Sequence, residues 1–197
     1  MPVTLSAPCQ YREEIRKSRF LALAAPVADA AEAQAFIAAH SDPGASHNCW
    51  AWKLGGQYRF SDDGEPGGTA GRPILAAIEG QDCDRVAVLV IRWYGGIQLG
   101  TGGLARAYGG CAAKCLQNGA RVPLLDLKRF ACHLEFAELA LFKSRLGEFA
   151  ARLEDEAYDA TGARLTLALP AEQAEALQRL LADLSRGRSR LQALEPA

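Results

Sequence analysis

Nothing in this sequence is long and apolar enough to cross a bilayer: an apolar stretch such as Val86 to Ile91 is far short of the roughly 20 residues a spanning helix needs. The N-terminus also lacks the basic-then-apolar order of a secretory signal, so a cytoplasmic protein that touches no membrane is expected. The six cysteines include no C-x-x-C pair, which excludes the usual zinc knuckle and gives no disulfide framework. They read as reduced, mostly buried thiols, with Cys111 and Cys115 on one helical face as small core residues. A formal net charge of −1 leaves no global attraction to nucleic acid, so any such binding has to use a local patch. No lysine of the P-loop kind follows either glycine cluster, and the acidic residues lack the spacing of an EF-hand. Neither a bound metal nor a cofactor is expected.

What is present concentrates in two loops. Residues 61 to 71, Ser-Asp-Asp-Gly-Glu-Pro-Gly-Gly-Thr-Ala-Gly, place Asp62, Asp63 and Glu65 among four glycines and a proline. Such a run is neither helix nor strand interior; it forms a rigid, turned loop with free backbone N–H groups. A strand end at Gln57 to Phe60 precedes it, and a helix opening at Arg72-Pro73 follows. The three carboxylates either cap that helix and its turns or form a polar site. A second glycine-rich stretch runs from Gly95 to Gly103, with Gly109 and Gly110 beyond. Its Gly100-Thr101-Gly102-Gly103-Leu104-Ala105 satisfies G-x-G-x-x-A, but no alternating βαβ series surrounds it, so it reads as a decoy for a dinucleotide site.

The remaining pattern is that of an α+β chain in two domains, residues 1–124 and 125–197. Residues 8 to 24 read as a strand with a charged edge, and Asp29 to His40 as a helix capped by Asp29. His47 to Leu54 and Gln57 to Phe60 flank Gly55-Gly56 as a hairpin. Asp84 to Tyr94 is apolar on both faces and therefore central in a sheet. From Thr101 a stripe of Leu104, Ala107, Tyr108, Cys111, Ala112 and Cys115 marks a closely packed helix. Arg121 to Leu124 reads as a linker. Beyond it come strand 127–136, helix 138–151, strands 153–159 and 163–169, helix 171–184 and strand 188–194, the β-α-β-β-α-β order of a ferredoxin-like domain. The aromatic residues Trp50, Trp52, Tyr58, Trp93 and Tyr94 are expected mainly in the core, and His47 is either a hydrogen-bonded structural histidine or an acid–base group.

Several strings together resemble the YigZ/IMPACT family: Arg16-Lys17-Ser18-Arg19-Phe20, His47-Asn48-Cys49, Arg59 through Pro66, Gly68 through Gly71, Arg92, Gly95-Gly96 and Leu99 through Tyr108. The resemblance implies an N-terminal domain folded like domain IV of elongation factor G and a ferredoxin-like C-terminal domain like its domain V. It also implies a role linked to the regulation of translation, as an RNA- or ribosome-associated binding protein, or through a protein partner as in eukaryotic relatives. Gln98 stands where the family usually has lysine, and Gly67 where it usually has serine. The binding residues to be expected are Lys17, Arg19, His47, Arg59, Asp62, Asp63, Glu65, Arg72, Arg92 and Arg106. An enzyme using the acidic loop and His47 on a small substrate is the competing reading, and it names no reaction.

Overall fold

The computed structural model describes residues 2–194. The chain divides into two compact units, Met1–Leu124 and Leu125–Ala197. Each sheet is built from strands of one unit only.

In the first unit the strands are β1 (Val3–Leu5), β2 (Cys9–Ile15), β3 (Ser18–Pro26), β4 (His47–Leu54), β5 (Gln57–Ser61), β6 (Val86–Trp93) and β7 (Arg121–Pro123), and the helices are α1 (Ala30–His40), α2 (Gly71–Gly80) and α3 (Gly100–Asn118). A five-stranded antiparallel sheet runs β2-β3-β6-β4-β5. β6 is central because both of its faces are apolar. Val86, Val88 and Val90 pack with α2 and α3, while Ala87, Leu89 and Ile91 pack with α1. The close packing of α3 follows from its small buried side chains, Ala107, Cys111, Ala112 and Cys115. α1 is opened by Asp29, whose Oδ1 accepts the Glu32 N–H at 2.8 Å, a cap that contributes about 1 kcal/mol.

Residues 8 to 24 form a hairpin, β2 and β3, rather than a single strand. The turn between them is Arg16-Lys17, with φ of 45° and 63°. Left-handed backbone at two long basic residues leaves no glycine or asparagine signal for a turn, which is why the sequence reads as continuous there. Residues 121 to 123, expected as linker, are β7, antiparallel to β1.

The second unit contains β8 (Leu127–Glu135), α4 (Phe136–Arg145), β9 (Arg152–Tyr158), β10 (Gly162–Pro170), α5 (Ala174–Ser185) and β11 (Gln192–Ala193). Its antiparallel sheet runs β11-β8-β10-β9. Short 3-10 turns at Leu146–Phe149 and Ala171–Gln173 occupy parts of the two expected helices, and the last strand is shorter than 188–194. Leu139, Phe142, Leu177, Leu180 and Leu181 of the helices close over Cys132, Leu134, Leu165 and Leu167 of the sheet. No helix among the described residues is long and apolar enough to cross a membrane.

The sheets and the apolar clusters of each unit are thus its own. Residues 1–124 and 125–197 expressed separately are expected to unfold cooperatively in urea, each as an independent transition. Broad, non-cooperative melting of both fragments would contradict that division.

Candidate functional site

The alternation of strand side chains builds one end of the first unit's helix-facing sheet surface. Register places Phe20, Arg92 and His47 in one row across β3, β6 and β4. Arg92 shares the face of Val86, Val88 and Val90, so its guanidinium is carried inward beneath α3 and is only 5% exposed. A charge brought under a helix layer needs a partner. The 61–71 loop supplies it: Arg92 Nη1 donates to Glu65 Oε1 at 2.6 Å, and the Tyr108 hydroxyl of α3 donates to the same oxygen at 2.6 Å. Arg92 Nε and Nη2 also reach Ser18 Oγ at 3.3 Å. Burial, followed by the neighbouring Cys49 and Glu65, pushes the Tyr108 phenol far above its ordinary value, so it remains a donor. Burial likewise pushes the Cys49 thiol up to about 12.

His47 stands at the edge of this network. Its Nδ1 lies 2.8 Å from the Asp63 carbonyl oxygen, which can only accept, so Nδ1 carries the hydrogen. Nε2 is then the nitrogen that faces Glu65 Oε1, at 3.7 Å. The neutral ring presents a lone pair there, and the protonated ring presents a donor.

Asp62 and Asp63 hold the loop in shape. Asp62 Oδ1 accepts the N–H groups of Ala70 and Gly71 at 3.0 and 2.8 Å, and Oδ2 accepts that of Gly68 at 2.9 Å. Partial burial opposes ionisation, but the donors Gly68, Gly71 and Ala70 together bring the Asp62 carboxyl below its usual value. Asp63 Oδ2 accepts the Asn48 N–H at 2.6 Å. Asp62 therefore does the capping of α2 that its N-cap residue, Ala70, cannot do.

The two glycine-rich loops meet. Ser46, His47, Glu65, Tyr94, Leu99 and Thr101 are among the residues around a cleft of about 590 Å³. Gly95 brings the β2–β3 turn against the second loop, for a Cβ there would lie 1.9 Å from the Lys17 carbonyl oxygen. No side chain caps α3. Its first three amides, Gly100, Thr101 and Gly102, thus lack helical acceptors at the positive end of the helix dipole, and Gly100 and Thr101 line the cleft. Leu99 also lines a neighbouring groove that holds Arg16, Arg106 and Lys114, the last of which pairs with Glu13 at 2.7 Å.

The expected basic residues do not share one surface. Arg92 is interior. Arg106 lies on α3 beside Arg16, and Lys17 is exposed in the adjoining turn. Arg19 stacks over Trp93 at 5.2 Å, and Arg59 is register-paired with Trp52. Both tryptophans pack on the α1 side of the sheet, so Arg19 and Arg59 lie on the face away from the cleft. Arg72 of α2 covers Phe60 at 5.4 Å. Ser18, Ser46 and the polar end of Tyr108 belong to the site but are not among the residues expected from the sequence. Tyr108 was hidden in an apolar stripe, whereas Ser18 was findable, being two residues from Phe20 on the inward face of β3. Of the aromatic residues expected in the core, Tyr58 and Tyr94 are instead about half exposed, at 47% and 49%.

Comparison with known proteins adds to this geometry. The Impact N-terminal domain family matches residues 16–116, the segment that builds the cleft, and a domain of unknown function, DUF1949, matches residues 132–188. The chain is 49% identical over 176 residues to an IMPACT family member in the pol 5′ region of Thermus thermophilus, covering 88% of this chain and 97% of that protein. It is 38% identical over 197 residues to the IMPACT family member YigZ of Escherichia coli, with 96% of each chain covered. A crystal structure described as that of a hypothetical protein superimposes with a TM-score of 0.67 at 37% identity, covering 99% of this chain and 98% of the other. Matched along most of its length by two IMPACT family members at 38% identity or more, and by the Impact N-terminal model over residues 16–116, the chain belongs to the IMPACT family.

Proposed function

We propose that the first unit binds the phosphate backbone of RNA, free or on the ribosome, in a role linked to the regulation of translation. The observation that carries this reading is the uncapped, glycine-rich start of α3 lining a cleft beside His47. Backbone N–H groups at a helix N-terminus favour phosphate, and glycines let a bulky anion approach them. Arg16, Lys17 and Arg106 flank the site as the local basic patch that a chain of net charge −1 needs. Gln98 in place of the family's usual lysine leaves the helix amides and these three residues as the phosphate donors. We infer, too, that the units resemble domains IV and V of elongation factor G; the strand order β11-β8-β10-β9 supports a ferredoxin-like second unit.

Filter binding of single-stranded RNA at several salt concentrations tests the reading. Arg16→Ala and Arg106→Ala are each expected to weaken binding to any sequence and to reduce the slope of log K against log salt by about 0.7. Arg19→Ala and Arg59→Ala are expected to leave both unchanged. Binding by the wild-type protein that is absent or insensitive to salt would remove the proposal. In that case His47, with Nε2 facing Glu65 beside an open cleft, would become the leading acid–base candidate.

A further inference from the structure

The second unit carries a polar groove on the sheet face away from its helices. Strand alternation puts Cys132, Leu134 and Leu165 into the helix-covered core. It therefore turns His133 and Arg164, which are directly paired across β8 and β10, to the opposite face. The segment leading into β11 forms the other wall. Together they enclose about 700 Å³, lined by His133, Arg164, Arg188, Arg190, Asp159 and Ser189, among others.

The charges in this groove are not all balanced. Arg188 is engaged by Glu135 and Glu138. Asp159 is engaged by its own turn: Oδ1 accepts the Thr161 and Gly162 N–H groups at 2.7 and 2.9 Å and the Thr161 hydroxyl at 2.8 Å. The Thr161 amide and hydroxyl, then the Gly162 amide, hold the Asp159 carboxyl well below the usual carboxylate range. The ionised Oδ2 lies 2.8 Å from His133 Nε2 and can only accept, so Nε2 carries the hydrogen and Nδ1 is the ring nitrogen left over. Among the described residues, Arg164 and Arg190 have no ion-pair partner. Two guanidinium groups and an oriented imidazole thus border one cavity whose carboxylates are already committed.

We propose that this groove is a second phosphoryl-binding site, in which Arg164 and Arg190 engage the oxygens of a phosphate ester with His133 beside them. Guanidinium forks match phosphate oxygens bidentately, and several donors from separate segments suit a tetrahedral anion better than a planar carboxylate. The cavity is of a size that holds a ligand with a body larger than the phosphoryl group itself. The ester is either a small phosphorylated molecule or the backbone of a nucleic acid. The site does not depend on the cleft of the first unit.

The test is titration calorimetry of the full chain with inorganic pyrophosphate, alongside fluorescence anisotropy with a short single-stranded RNA. Both are run on wild type, Arg106→Ala, the double variant Arg164→Ala/Arg190→Ala, and all three changes combined. The double variant is expected to lose pyrophosphate affinity by about tenfold or more, and to do so equally in the Arg106→Ala background. A parallel loss of RNA affinity identifies nucleic acid as the source; unchanged RNA affinity identifies a small phosphate ester. Both arginines are exposed, so melting temperatures should stay at the wild-type value. Equal pyrophosphate affinity in wild type and double variant, or no saturable binding by either, would overturn the second site while leaving the first-unit proposal standing.

Discussion

Arg92→Met is expected to cost about 3–5 kcal/mol of stability, the largest effect of any single change in the cleft. The two side chains of the pair are 6% and 4% exposed, so the substitution strands the Glu65 carboxylate under α3, with only the Tyr108 hydroxyl and the distant edge of His47 in attendance. A second result is expected at the same site. If the cost arises from the stranded charge rather than from lost packing, removing the carboxylate and its second donor as well should recover much of it. The triple variant Glu65→Leu/Arg92→Met/Tyr108→Phe leaves Ser18 as the buried polar side chain of the network, with His47 partly exposed at its edge, and it should be more stable than Arg92→Met alone. Urea melts of the three proteins decide. A single variant within about 1 kcal/mol of wild type would show that the ion pair contributes little to the fold.

Asp62→Asn is expected to destabilise the first unit by about 2–3 kcal/mol. The amide keeps one acceptor and turns an NH₂ toward the backbone donors of Gly68 or of Ala70 and Gly71, so at least one N–H loses its partner and meets another donor. Partial exposure lets water recover some of the loss. The pH dependence has a definite sign. The folded-state pKa of Asp62 lies below its unfolded value of 3.8, so its contribution is fully present above that value and is lost as pH falls through the folded pKa. The stability gap between wild type and Asp62→Asn should therefore be widest near neutrality and should narrow below about pH 4. A gap that stays constant down to that region would mean that the carboxylate's charge is not what holds the loop.

These two residues also mark what could be read from the sequence. The run of glycines around Asp62, Asp63 and Glu65 identified the loop, and the apolar faces of β6 identified its central strand. Arg92 carries a further signal in the sequence: a charged residue in phase with Val86, Val88 and Val90 must point into the helix-covered layer, which requires a carboxylate there. The division of labour among the three acids was not legible. It depends on the loop's turns, which direct Asp62 back at its own amides and Glu65 inward. The basic residues misled for the same reason of phase. Arg19 and Phe20 are adjacent in sequence and therefore on opposite faces, so a cluster in the sequence becomes two surfaces in the fold. The β1–β7 pairing joins residues more than a hundred positions apart, and three-residue strands leave no periodic signal.

Phosphate binding at the start of α3, as proposed, can be read from the backbone amide resonances of Gly100, Thr101 and Gly102 while single-stranded RNA is added to the ¹⁵N-labelled full chain. Saturable shifts of these three amides together with the His47 ring are expected, all fading as salt is raised. Shifts confined to other surfaces, with these amides unmoved at saturation, would contradict it.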